Sequence, residues 1–295
     1  PGNQLSYEMG SDDTFRGNLQ SGRIFDNGSD LFLSLSGTSS DGFREHTDQK
    51  NVKFNSNAGV KISDNVESRF YFSANYINLE LPNTVTLSQA LDNPRQAKSS
   101  ALTDDEHRDI ISYRAANKTT FDLGGTHKMD VGAFAFWKEL NHPITSFVGV
   151  IGQESVNYGL YTQNSGSYKL GGHLNRYRFG TTSHLGTTDA KVWENNNGNA
   201  GVLTADAQQN AQNVVVYGEN SFYINPKLAL VSTLQYVWSN RDIFDNFTPT
   251  DTDSSIYESW NPKIGFLYKP MKKVQVFGNI SKSFEPPDFA DLTQG

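Results

Sequence analysis

The sequence predicts an all-β chain forming the wall of a transmembrane antiparallel β-barrel, and three observations predict it. In the last hairpin, Trp260, Pro262, Ile264, Phe266 and Tyr268 share one face of the first strand, against Asn261, Lys263 and Gly265 on the other. In its second strand Val274, Val276 and Ile280 oppose Gln275, Asn279 and Ser281. Apolar outside and polar inside is what a barrel in lipid with a wet interior requires. Such alternation also recurs along the chain, in segments long enough for the roughly 9 to 11 residues a tilted membrane strand needs. Finally, the connections alternate between tight turns and longer polar stretches, the pattern of periplasmic and extracellular ends.

Composition is compatible with this reading. With 36% hydrophobic residues and a mean hydropathy of -0.56, the 295-residue chain averages like a soluble domain, because only every second residue of a barrel strand has to be apolar. No apolar run approaches the roughly 18 residues of a membrane helix. An aromatic content of 12%, with 25 Gly and 13 Tyr, suits strands, turns and interfacial girdles. The absence of Cys excludes disulfides and thiolate metal sites. A net charge of -7 without a basic stripe argues against a nucleic-acid partner.

Period-2 alternation gives about thirteen strand candidates. The first two, residues 4–10 and 13–25, run to a tight turn at Asp26-Asn27-Gly28-Ser29, and the third spans 30–41. The fourth, 51–63, has the cleanest pattern, with Phe54, Ala58, Val60 and Ile62 against Lys53, Asn55, Asn57, Gly59 and Lys61. It turns at Ser63-Asp64-Asn65 into the fifth, 66–79, where Phe70, Phe72, Ala74 and Tyr76 oppose Arg69, Tyr71, Ser73 and Asn75. A long connection follows, with a short helix from Thr86, the N-cap, to Leu91. Strands at 108–123 and 126–140 flank Gly124-Gly125, and 141–171 reads as a long loop. Strands at 172–185 and 189–196 flank Gly186-Thr187-Thr188, and 197–210 reads as another loop. Strands at 211–224 and 227–240 flank Asn225-Pro226; those at 256–268 and 273–284 flank Lys269-Pro270-Met271-Lys272. These turn residues tolerate positive φ or preset φ near -65°.

With the even strands ending in tight turns, strands one and thirteen point the same way and cannot close antiparallel. An open edge in lipid leaves unsatisfied backbone groups, each costing on the order of several kcal/mol. The wall is therefore expected to be incomplete. Pro1, with no Met or leader before it, marks an expected processed or truncated N-terminus.

The terminal hairpin with Ser283-Phe284-Glu285-Pro286-Pro287 resembles the mid-barrel region of TonB-dependent outer-membrane receptors. Asp41-Gly42-Phe43-Arg44, Leu79-Glu80-Leu81-Pro82, Asn93-Pro94-Arg95-Gln96-Ala97, Gly171-Gly172-His173-Leu174-Asn175-Arg176 and Tyr217-Gly218-Glu219-Asn220 are similar to siderophore-receptor barrels, nearest the branch that includes ferric-dicitrate transporters. The resemblance implies a barrel of twenty-two strands, with a plug domain before Pro1 and nine strands after Gly295. It implies residence in a Gram-negative outer membrane, among lipid and lipopolysaccharide. The implied activity is import of a scarce solute, a ferric siderophore or ferric-citrate-type complex, driven by the TonB complex through the plug. No resident cofactor is implied, iron entering only as part of a transported chelate.

Candidate ligand contacts follow from parity. Arg176 and Arg178 are expected to face the interior near the extracellular mouth, and Arg114, in phase with Lys118 and Asp122, to face inward as well. Guanidinium groups grip carboxylates through paired hydrogen bonds. The competing reading is that they pair with plug acids or line a wet wall. His142, with Tyr158 and Tyr161 on the same expected loop, offers imidazole and phenol groups to a chelate, against the reading of solvated loop residues. Asp104-Asp105-Glu106 and Asp242, Asp245, Asp251 and Asp253 offer oxygen ligands for calcium but match no EF-hand spacing, and a solvated loop is the better reading. Trp137, Trp238, Trp260, Tyr76, Tyr236 and Tyr268 suit interfacial girdles, with carbohydrate stacking the second reading. Active transport leads; the alternative is a passive channel or a surface-adhesion barrel. An enzyme is not expected, since neither a Gly-x-Ser-x-Gly elbow nor a His-Glu-x-x-His pattern is present.

Overall fold

The computed structural model describes residues 2–289. Among them, thirteen strands form one antiparallel meander in which neighbours in sequence are neighbours in space. They are β1 (Gly2–Met9), β2 (Phe15–Ile24), β3 (Asp30–Ser40), β4 (Gln49–Ser63), β5 (Val66–Glu80), β6 (His107–Gly124) and β7 (His127–Pro143), followed by β8 (Val150–Leu170), β9 (His173–Asn196), β10 (Asn199–Asn225), β11 (Leu228–Asp245), β12 (Asp253–Met271) and β13 (Val274–Ser281). Two short helices, α1 (Leu87–Asp92) and α2 (Ser99–Thr103), lie between β5 and β6. Thr86 caps α1 with the full capping box, its side chain accepting from Gln89 N while Gln89 Oε1 accepts from Thr86 N. Among the described residues β1 pairs only with β2, and β13 only with β12.

The strand count agrees with the sequence expectation through two compensating differences. The loop expected at 141–171 is mostly β8, and the two strands expected at 172–185 and 189–196 are the single β9. Gly186-Thr187-Thr188, expected as a turn, is extended strand paired on both sides; the real turn is Gly171-Gly172. A Cβ at Gly186 would meet the Asn157 side-chain amide. Residues 199–210, also expected as loop, begin β10. Strands β8, β9 and β10 run 21, 24 and 27 residues, about twice what the bilayer requires. Only the stretch that crosses lipid needs an apolar face, so the ends that project beyond it carry polar residues on both faces and read as loop.

With the correct turn in place every even strand enters the next through a tight turn, and the opposite end holds the longer connections 41–48, 81–106, 144–149 and 246–252 beside the two-residue turn Asn197-Gly198. Register assigns the faces. The row Phe179, Gly218, Leu234, Pro262 belongs to one side, as do Phe54, Ala74 and Tyr113, and Tyr268 with Val276. Among the described residues no second sheet covers this side: Leu5, Leu19, Leu35, Val60, Phe70, Leu160, Leu230 and Ile264 are all exposed, and Phe54 is half-buried. A soluble sandwich would bury them, whereas lipid receives them. The expected aromatics form two bands. Tyr76, Trp137, Tyr236, Trp238 and Trp260 lie toward the long-connection end, with Tyr236 tilted against Trp260 at 4.8 Å and Trp137 stacked on Tyr113 at 5.6 Å. Tyr268 lies toward the tight turns, the end where Tyr168, Tyr177 and Phe179 also cluster.

Candidate functional site

The opposite face is polar and is braced by side chains that meet across a glycine on the strand between them. Register places Asp30, Gly59, Arg69 and Lys118 in one row over β3 to β6. Arg69 reaches across Gly59 to form a two-pronged ion pair with Asp30, at 2.8 and 2.6 Å, and it also bonds Asn57 and Glu67. The same device joins Gln163 to Tyr217 over Gly180 at 2.9 Å, and Phe134 to His184 over Gly159. Tyr161 covers Gly132 and lies beside the Lys118–Asp130 ion pair of 3.0 Å. A Cβ would meet the Arg69 and Asp30 head groups at Gly59, the Tyr161 ring at Gly132, the Ser183 carbonyl and Phe134 at Gly159, and the Thr162 carbonyl at Gly180. Parity in the sequence points to the interior face; which residues bond across a neighbouring strand emerges only from the register.

The long-connection end carries the best-packed part of the described chain. The 81–106 connection folds down on its neighbours through named anchors. Arg44 donates to the carbonyls of Gln96, Asn83 and Pro82 at 2.9, 2.9 and 3.2 Å. Buried Glu106 accepts from Asn83 Nδ2 at 3.0 and 2.8 Å, and buried Asp104 accepts from Ser146 N at 2.8 Å. Asn195, at the top of β9, donates to the carbonyls of Asp104 and Ile144. Three connections and the end of β9 are thereby locked into one cap beside the mouth of the wall. The expectation that Asp104 and Glu106 sit in a solvated loop is therefore corrected: their carboxylates fill hydrogen-bonding positions that fasten the cap. Asp242 and Asp245 likewise serve local geometry, accepting from Asn240 and Ser254, and from the amides of Phe247 and Thr248.

The six candidate ligand residues do not converge. Arg114 faces inward on β6, exposed, its guanidinium 5.2 Å from the Phe136 ring centroid. Tyr161 faces inward on β8. Arg176 and Arg178 also face inward but lie just after the Gly171-Gly172 turn, so their expected placement at the extracellular mouth is corrected to the tight-turn end. The error follows from the mistaken turn at 186–188, which inverted the direction of that stretch. Arg176 stacks over Tyr223 at 5.3 Å. Tyr158 is corrected from loop to strand: paired with Ala135 and Leu185, it faces outward and is 52% exposed there. His142 is corrected from an exposed loop start to a side chain only 7% exposed, near the end of β7. Its Nδ1 donates to the His107 carbonyl at 2.6 Å, and its Nε2 accepts from Arg108 at 3.1 Å. Burial and the neighbouring Arg108 push its pKa down. Among the described residues no group of three or more His, Cys, Asp or Glu side chains is arranged to hold a metal ion.

Comparison with known proteins places this architecture. The family profile described as "TonB dependent receptor-like, beta-barrel" matches residues 2–295. No curated protein sequence matches the chain. Among solved structures it is similar to the unliganded ferric citrate transporter FecA, with a TM-score of 0.82 at 12% identity, over 95% of this chain and 43% of that one. It is also similar to the open form of the ferric-catecholate import receptor Fiu from E. coli K12, with a TM-score of 0.77 at 12% identity, over 97% and 55%. A third is P. aeruginosa FpvA in complex with a heterologous ferric pyoverdine, with a TM-score of 0.77 at 10% identity, over 94% and 41%. The chain thus spans about half the length of these structures, and at such identities they speak to the fold alone. With thirteen meandering strands, a lipid-facing exterior and a profile match over nearly every residue, the chain belongs to the TonB-dependent receptor β-barrel family of the Gram-negative outer membrane.

Proposed function

We propose that the chain is the wall of a receptor that takes up an iron chelate, a ferric siderophore or ferric-citrate-type complex, across the outer membrane with energy delivered through TonB. The observation that carries this reading is the cap: three connections and the end of β9 fastened by buried and half-buried polar anchors beside the mouth of a polar interior. A passive pore gains nothing from so many fixed side chains, whereas a receptor needs a preorganised rim to hold a dilute ligand. The neighbours named for ferric citrate and ferric-catecholate import support the same substrate class. Because transport requires binding in one state and release in another, it is limited by the affinity difference between the states, and no covalent step is needed. Arg114 and Tyr161 are the interior contacts proposed for the solute, while Arg176 and Arg178, at the far end, are proposed to meet the plug or the departing solute.

Radio-iron uptake by cells expressing the full-length protein tests the proposal. Uptake of ferric citrate or of a catechol siderophore is expected to saturate and to collapse when a protonophore dissipates the inner-membrane gradient. Flux that persists without the gradient would establish the passive channel instead.

A further inference from the structure

Three of the six histidines converge on three consecutive carbonyls at the root of the cap. His46 Nε2 bonds the carbonyl of Glu106 at 2.8 Å, His107 Nδ1 that of Asp105 at 2.7 Å, and His142 Nδ1 that of His107 at 2.6 Å. A carbonyl only accepts, so each of these nitrogens carries a proton. The remaining nitrogens differ in their surroundings. His46 Nδ1 faces Glu80 at 3.4 Å, and His107 Nε2 faces Asp109 at 3.7 Å. His142 Nε2 faces Arg108 Nη2, which only donates, so His142 must be neutral for this contact to exist.

From this arrangement we infer that His142 is an acid-released latch joining β7 to the root of the cap, while His46 and His107 hold their carbonyls in either protonation state. A second proton on His142 would put N–H against N–H and one cation against another in a nearly closed space. On His46 or His107 it would face a carboxylate and leave the existing donation intact. The charged and titratable groups around His142 are Arg108 and His107 of β6 and Glu106 of the connection; its partner on β8, Ile151, brings none. Burial and Arg108 act in the direction the latch requires, and Trp137 of the outer aromatic band lies nearer the middle of β7, so His142 is outside the lipid.

The sign is fixed by linkage. The closed latch binds fewer protons than the open one, so its stability is full above the ordinary histidine pKa and is lost as pH falls below it. With an open-state pKa of about 6.5, moving from pH 7.5 to 5.5 raises the open fraction about tenfold. Hydrogen exchange on the full-length protein in nanodiscs, corrected for intrinsic rates, is expected to lose about tenfold protection around residues 105–109 and 141–151 over that interval. His142→Gln, whose carbonyl still accepts from Arg108, is expected to abolish the loss, while His46→Gln leaves it. Equal corrected protection at both pH values, or a tenfold loss that survives in His142→Gln, overturns the latch. Imidazole C2 exchange on the unmodified protein gives an answer independent of variant folding: a His142 pKa below the ordinary value supports the latch, and one at or above it refutes it.

Discussion

Gly59→Ala tests whether the interior wall is held together by side chains crossing glycines. A Cβ at position 59 would overlap Arg69 Nη2 and Asp30 Oδ2, so the methyl wedges the ion pair apart. The side chains of Arg69 and Asp30 are 26% and 30% exposed, which places the pair between a surface bridge, about 0 to 1 kcal/mol, and a buried one, whose breaking costs about 3 to 5 kcal/mol. Losing the two-pronged contact is therefore expected to cost about 2 kcal/mol. Against this, alanine in a strand gains about 0.5 to 1 kcal/mol over glycine, leaving a net destabilisation of about 1 to 1.5 kcal/mol. The decisive measurement is a double-mutant cycle by urea unfolding in liposomes, followed by tryptophan fluorescence. In an Arg69→Ala background the wedge has nothing to separate, so Gly59→Ala should turn neutral or slightly stabilising, giving a coupling of about 2 kcal/mol. If Gly59→Ala costs the same with and without Arg69, glycine is there for some other reason and the bracing argument fails.

Other consequences are equally direct. Leu234→Arg, facing lipid, should destabilise the barrel by about 2 to 4 kcal/mol, whereas Gln235→Arg, one residue on and facing inward, should cost under about 1 kcal/mol; reversal of that order in unfolding experiments would invert the two faces. Arg44→Ala should leave barrel unfolding unchanged but expose residues 82–103 to limited proteolysis, since three carbonyls lose their donor, and Arg44→Lys should restore only part of the protection. Arg114→Ala should weaken chelate binding by about fivefold or more if a charge-assisted contact is lost, while Arg176→Ala with Arg178→Ala should leave surface affinity unchanged; binding to whole cells in the cold separates the two.

Much of the wall was legible because alternation is a local property with a physical cause. Phe54 to Ile62 and Trp260 to Tyr268 must show lipid one face and water the other, so each residue announces its side. Where that demand lapses the signal lapses too. On strand β8 the outward row Val156, Tyr158 and Leu160 gives way to Thr162, Asn164 and Gly166, opposite an inward row of Gln, Ser and Asn, and Gly186-Thr187-Thr188 has turn composition inside a strand. The site was less legible than the fold. The inward parity of Arg114, Arg176 and Arg178 was readable from one strand, but the height of the last two depended on which glycines make the turn.

By itself, then, the sequence determined the class of structure, the two faces, most of the tight turns and the capped helix at Thr86, since each follows from neighbours within a few residues. Only the tertiary structure decided that Arg69 meets Asp30 over Gly59, that His142 is buried against Arg108, and that connections far apart in the chain share one cap. Those contacts depend on strand register, and a shift of one residue would send every one of these side chains to the other face.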